Sequence, residues 1–188
     1  IGDPLAMLRP VPGAAIPKRE IAATLGWALV GAIACTSIII LEPNMVEEGL
    51  VVHFAQRLAR GEHLYRDLVF FSGPLAFELL GALFRVFGEQ VLVGRWAQVL
   101  IQALNAAAAF ALVRRAGGAA LAHAAAAAIA ALPPVVFPFF SMFYYTPLAT
   151  SLALWASYAT LRGIDSTRFA CVAGLCIAGV ALCKQTLG

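Results

Sequence analysis

The chain has 188 residues, 62% of them hydrophobic and 12% charged, with a mean hydropathy of +0.86 and a net charge of +3. A soluble domain is nearer half apolar and a quarter charged, so composition excludes an ordinary soluble globule and predicts an all-α, polytopic transmembrane bundle. The small, scattered positive excess excludes a nucleic-acid binder. The four cysteines, Cys35, Cys171, Cys176 and Cys183, fall in apolar stretches with no Cys-x-x-Cys spacing. They read as small buried residues rather than a metal site or a disulfide framework.

In chain order, Pro4, Pro10, Pro12, Gly13 and Pro17 break any periodic face in the first residues. Residues 1–20 are therefore expected to be a flexible cytoplasmic tail, and not a signal peptide. Residues 21–188 form one predicted transmembrane domain. Lys18 and Arg19 precede a first span, Ile21 to about Leu41, which puts the N-terminus in the cytoplasm and the following loop, 42–90, on the outer face. Within that loop Val51, Phe54, Ala55 and Leu58 recur at helical spacing, predicting an amphipathic surface helix over Val46–Arg60 that Gly61 ends. Glu62–Ser72 reads as a turn and an extended piece. Pro74 opens a second surface helix, Leu75–Phe87, too short to span comfortably.

Four more spans are predicted: Val91–Val113, Ala119 to about Val136, Thr146–Leu161 and Phe169 to about Leu187, making about five in all. Arg114, Arg115, Arg162 and Arg168 then sit in two short cytoplasmic loops. Arg57, Arg60, Arg66, Arg85 and Arg95 fall outside, among the acids Glu42, Glu47, Glu48, Glu62, Asp67, Glu78 and Glu89. The many Ala and Gly residues suit close helix packing. The chain begins at Ile1 and ends at Gly188 within an apolar run, so a piece of a longer protein is expected.

Membrane spans carry charge only at high cost, so chemistry is expected in the charged outer loop. Glu47 and Glu48 point about 100° apart on a helix and cannot share one proton. One reading makes one of them a general base toward a hydroxyl and the other a structural or substrate-holding group. The other reading is a solvated acidic helix start, favoured by the helix dipole. Lys184, beside Gln185 at the outer end of the last span, is either a snorkelling anchor or a cation for a lipid phosphate. Arg57, Arg60, Arg66 and Arg95 either clamp a phosphate or pair with the loop acids. His53 and His63 lack the further ligands zinc needs, and His123 reads as a packed histidine. Gln98, Gln102 and Asn105 read as interhelical hydrogen-bonding groups. Tyr144, Tyr145, Phe137–Phe143 and Trp96 read as an aromatic belt at the outer interface.

The order of these features carries a resemblance. An acidic pair, an amphipathic helix, Gly-x-x-Leu-Tyr-Arg-Asp, Gly-Pro-Leu, a short apolar helix, Phe-Gly and an arginine opening the next span follow one another. The residues are Glu47, Glu48, Gly49, Gly61, Leu64, Tyr65, Arg66, Asp67, Gly73, Pro74, Phe87, Gly88 and Arg95. The pattern resembles membrane glycosyltransferases of the GT-C superfamily, of the family 39, protein O-mannosyltransferase and aminoarabinose-transferase kind. It covers residues 20–188, the N-terminal part of such an enzyme, and Lys184-Gln185 resembles a later signature.

The resemblance implies a polyprenyl-phosphate sugar as donor and a glycan, lipid or protein hydroxyl as acceptor, at the outer face of the inner membrane. A loop carboxylate deprotonates the acceptor, which attacks the anomeric carbon with inversion. Glu47 matches the catalytic aspartate by position and Glu48 the glutamate after it. The family has Asp-Glu where this chain has Glu-Glu, so the choice of base stays open between the two. Lys184 and Arg66 or Arg95 would meet the leaving phosphate, with Gln185, Tyr65 and Asp67 in the same substrate-binding set. Glu78 would help hold the acceptor or a divalent metal, and no other cofactor is implied. The rival expectation is a transporter or flippase of lipid-linked sugars, which calls for repeated spans and broken helices.

Overall fold

Apolar runs bounded by Gly, Pro and charge become helices here, and the ends lie close to where those residues put them. The computed structural model describes residues 16–39, 47–70, 72–137, 141–163 and 166–183. Among them are seven α-helices and no strand: α1 (Lys18–Thr36), α2 (Glu47–Ala59), α3 (Leu75–Phe87), α4 (Val91–Ala116), α5 (Ala119–Val135), α6 (Tyr145–Gly163) and α7 (Thr167–Cys183). The first span was expected to run to Leu41, but α1 ends at Thr36 and a turn follows at Ser37–Ile39. Gly88 ends α3 at a φ of +92°, a conformation that costs glycine nothing and other residues energy.

The long helices alternate in direction. The start of α1, the ends of α4 and α6 and the start of α7 gather around one cavity. At the opposite end, Arg95 near the start of α4 meets Ile39 after α1, and Ser72 meets Cys183 at the end of α7. The hairpin of α2 and α3 packs at this second end. Its core is Val51, Ala55 and Leu58 against Phe77, Leu80 and Phe84. Arg85 of α3 closes α2 by donating to the Leu58 (2.6 Å) and Ala59 (3.4 Å) carbonyls, which lack partners within their own helix.

α4 is the spine. Its 26 residues span about 39 Å, and it touches α1, α3, α5 and α6. A close approach to α1 is possible because Gly31 has no Cβ; one built there would lie 2.9 Å from Ala106 Cβ and 3.0 Å from the Gln102 carbonyl. Among the described residues α4 is the one helix long and apolar enough to cross a membrane; α5 and α7 are shorter apolar helices. Large apolar side chains point outward on α1 (Leu25, Leu29, Ile33) and on α7 (Val172, Leu175, Leu182).

Two sequence expectations change. Phe143 is buried in the core beneath Tyr144 and Tyr145, which are themselves half-buried, so this segment is packing rather than a surface belt. Trp96 and Phe137 are exposed as expected, and residues 138–140 lie outside the described ones. His123 is packed as expected, though its position on α5 is exposed: its Nδ1 accepts a hydrogen bond from Trp27 Nε1 at 2.9 Å and its ring packs on Phe110. Cys171 is exposed too, because α7 turns that face away from the bundle, whereas Cys35 and Cys183 are buried.

The α1–α4 contact makes a direct prediction. Gly31→Val should lower stability by about 1–3 kcal/mol through overpacking. Gly26→Ala, where a Cβ meets nothing within 4 Å, should be neutral or raise stability by up to about 1 kcal/mol. Unfolding midpoints of the purified variants in one detergent check both; equal midpoints would mean that α1 and α4 do not approach this closely.

Candidate functional site

Glu48 heads the buried stripe of α2. It stands three residues before Val51, seven before Ala55 and ten before Leu58, so helical rotation turns it inward with them. There its carboxylate meets Arg95 in a bidentate pair, Nε to Oε1 and Nη2 to Oε2, both 2.7 Å. The third arm of the guanidinium donates to the Ile39 carbonyl at 2.5 Å. The two side chains are only 5% and 6% exposed. The planar fork of arginine suits both the carboxylate and the extra carbonyl, which lysine could not match. One ion pair thus joins α2, α4 and the chain just past α1.

Glu47, one residue earlier, is rotated out of that stripe and is half-buried. Its negative charge reaches the hydroxyl of Tyr144. Burial first, then the 2.9 Å hydrogen bond that Tyr144 donates to Tyr145 Oη, then the charges of Tyr145 and Glu47 hold the Tyr144 phenol well above its ordinary range. Tyr144 also lines a cavity of about 280 Å³ between α4, α5 and α6, together with Gln102, Asn105, Thr146 and Thr150. No charged side chain lines it among the described residues.

The polar groups of this region come mostly from one stripe on α4: Arg95, Gln98, Gln102 and Asn105, each no more than 5% exposed. Gln102 Nε2 donates to the Ile129 carbonyl of α5 (2.6 Å) and Asn105 Nδ2 to the Pro147 carbonyl of α6 (3.4 Å), so both tie helices together as expected. Asn105 Oδ1 and both amide atoms of Gln98 are enclosed without a hydrogen-bond partner among the described residues. Buried polar atoms are rarely left so, and Asn105 is one of the residues that line the cavity.

The remaining loop charges pair off. Arg57 meets Glu62, Arg60 meets Glu89 through two hydrogen bonds, and Arg66 meets Asp67 at 2.8 Å. Asp67 also accepts from the His63 amide at 3.0 Å, which closes the 63–67 turn. Tyr65 sits in this turn at a φ of +68° and donates from its hydroxyl to the Ser72 carbonyl (2.5 Å). Ser72 Oγ donates in turn to Cys183 at the end of α7 (3.3 Å). Lys184 and Gln185, the next two residues, lie outside the described ones. Glu78 is exposed on α3, away from the other carboxylates' pairings.

The structure therefore brings Glu47 and Glu48 to one end of the bundle with Arg95. It leaves Arg66, Asp67 and Tyr65 in their own clasp, and Glu78 on the surface. Among the described residues no three His, Cys, Asp or Glu side chains converge as a metal site would need. The Tyr144–Tyr145 pair and the cavity-lining roles of Gln102 and Asn105 were not foreseen. The signal was present: 95, 98, 102 and 105 follow the 3-4-3 spacing of one helix face. No family model, curated protein or solved structure matches this chain.

Two outcomes are expected. Arg95→Met should cost about 3–5 kcal/mol by leaving Glu48 buried and unpaired, and adding Glu48→Leu should recover much of the loss. Unfolding midpoints of the single and double variants measure it, and additive effects would deny the pair its anchoring role. The second concerns Asp67, whose carboxyl is pulled from 3.8 down to about 2, chiefly by the Arg66 hydrogen bond and then by the His63 amide. A depressed folded-state value means the clasp contributes above about pH 4 and is lost as pH falls through about 2. Carboxyl NMR should find Asp67 titrating near 2, and higher in Arg66→Ala but still below 3.8 because the His63 amide remains; a wild-type value near 3.8 would dissolve the clasp.

Proposed function

We propose that this chain is the N-terminal, membrane-embedded part of a glycosyltransferase that moves a sugar from a polyprenyl phosphate to an acceptor hydroxyl, with Glu47 as base. The observation that carries the reading is the division of labour between two adjacent carboxylates. Glu48 is held by Arg95, whereas Glu47 is half-buried at the same end of the bundle, where its charge helps to raise the phenol of Tyr144, a residue that borders the α4–α5–α6 cavity. Of the two glutamates left open on sequence grounds, the proposal takes Glu47 as the base, a choice supported by the engagement of Glu48 with Arg95.

In the proposed step the Glu47 carboxylate takes the acceptor's hydroxyl proton. The acceptor oxygen forms a bond to the anomeric carbon from the face opposite the leaving group, and the bond from that carbon to the phosphate oxygen breaks. The electron pair leaves with the lipid phosphate, whose added charge calls for a cation. Arg66 and Arg95 are engaged by Asp67 and Glu48, so the proposal gives this part to Lys184, with Gln185 beside it. Tyr65, Asp67 and Glu78 are reassigned from substrate contact to building or edging the loop.

Placement in a bilayer belongs to the same proposal. It is supported by the apolar composition, by the length of α4 and by the outward leucines and isoleucines of α1 and α7, which water would solvate poorly. With Lys18 and Arg19 at the inner side, the carboxylate end faces outward.

The test is consumption of a panel of polyprenyl-phosphate sugars by membranes holding the full-length protein. Glu47→Gln should lower turnover by about 10²–10⁴-fold, with unchanged insertion and melting. Glu48→Gln should lower turnover and stability together. Unimpaired turnover in Glu47→Gln would sink the mechanism. Movement of intact donor across the bilayer without its consumption would replace it with transport.

A further inference from the structure

The cavity between α4, α5 and α6, about 280 Å³, carries no charged side chain among the described residues that line it. Its polar side chains are turned to the protein. Pro133 in α5 has no N–H to give the Ile129 carbonyl one turn earlier, and Gln102 Nε2 supplies that hydrogen bond at 2.6 Å. Asn105 Nδ2 donates to the Pro147 carbonyl at 3.4 Å and to Gln102 Oε1 at 3.5 Å. Thr150 Oγ1 donates to the Thr146 carbonyl at 3.0 Å, and Tyr144 Oη to Tyr145 Oη at 2.9 Å. These four side chains thus give their hydrogens to other protein groups. What is left over is an acceptor. Asn105 is 3% exposed, and its Oδ1 is enclosed without a hydrogen-bond partner among the described residues.

Charge and shape narrow the ligand. Among the described residues of this wall an anion would meet no cation and a cation no carboxylate, so either would bear the full cost of leaving water. A hydrocarbon would suit Ile129 and Leu132 and leave Asn105 Oδ1 unanswered. An uncharged hydroxyl donates to that oxygen and brings no charge with it. Thr150 is exposed and Ile129, Leu132 and Thr146 are half-buried, so the cavity reaches the surface between α5 and α6. Its volume lies at the lower end of ligand pockets, which run from about 300 to 1,000 Å³, and suits one slim chain rather than a two-chain lipid.

We infer that the α4–α5–α6 cavity is a binding site for an uncharged, single-chain alcohol, its hydroxyl donating to Asn105 Oδ1 and its chain lying against Ile129 and Leu132. The inference goes beyond the transferase reading and rests neither on its chemistry nor on placement in a bilayer.

The experiment irradiates the purified full-length protein in neutral detergent at pH 8 with a diazirine-bearing octanol and maps the labelled peptides. The competitors are 1-octanol, its isomer heptyl methyl ether, which accepts but cannot donate, and octanoate. Label should fall on the cavity wall in α4, α5 or α6. 1-Octanol should displace it at about fivefold lower concentration than the ether, and octanoate should compete at least about tenfold more weakly than the alcohol. Asn105→Leu should bring alcohol and ether together, a ratio read within one protein and so independent of its yield. Thr150→Trp, a change at the exposed mouth, should cut labelling about tenfold. Equal competition by alcohol and ether in wild type would overturn the inference and leave an apolar cavity that reads no hydroxyl. Octanoate matching the alcohol would replace it with an anion site. Label confined to other helices, or unmoved by Thr150→Trp, would place the alcohol elsewhere and end the inference too. No sugar donor enters this experiment, so its failure leaves the transferase reading intact, and normal turnover in Glu47→Gln leaves this inference intact.

Discussion

The pair between Glu48 and Arg95 holds together pieces of chain 47 residues apart, and its third hydrogen bond brings in the segment after α1 as well. Two charges taken this far from water are tolerable only because every arm is answered: both carboxylate oxygens by the guanidinium, and the third guanidinium arm by a carbonyl. Once Glu48 is turned inward, helix geometry rotates Glu47 away by about 100° and leaves it half-buried. The difference between two identical side chains is thus decided by one arginine on another helix.

Charge is arranged differently at the two ends of the bundle. At the Glu47 end, Arg57, Arg60, Arg66 and Arg95 each meet an acid, and Arg85 closes α2. These contacts shape the loop, and the exposed ones contribute little stability individually. At the other end Arg114 meets Glu20, and Arg114, Arg115 and Arg162 border a cavity. α4 connects the two ends. Its polar stripe gives way to Ala106, Ala107, Ala108 and Ala109, whose small side chains admit neighbouring helices.

The enclosed amides of Gln98 and Asn105 stand out within that stripe. Leaving a buried polar group without a partner costs on the order of 1–3 kcal/mol, which applies to both amide atoms of Gln98 and to Asn105 Oδ1 among the described residues, and Asn105 lines the cavity. A hydroxyl group entering the cavity could donate to Asn105 Oδ1. This accords with the proposed acceptor chemistry near Tyr144.

Helices were legible from the sequence because their signals are local. Apolar runs of sufficient length, Gly61, Gly88 and Gly117 after them, and arginines in the last turns mark their extents without reference to the rest of the chain. The inward stripe of α2 was legible for the same reason, as was the concentration of acids and arginines between residues 47 and 89. Which acid meets which arginine was not. Pairing depends on distances between helices, and nothing in the neighbourhood of Glu48 names a residue on α4. Glu47 and Glu48 are equivalent in the sequence, and so are Arg66 and Arg95; tertiary packing alone buried one of each and left the other near the surface. The same holds for Phe143, Tyr144 and Tyr145, whose composition fits an interfacial belt but whose place beneath the α2–α3 hairpin is set by contacts from distant segments. Local periodicity determined the elements, and long-range packing determined which polar groups met which partners.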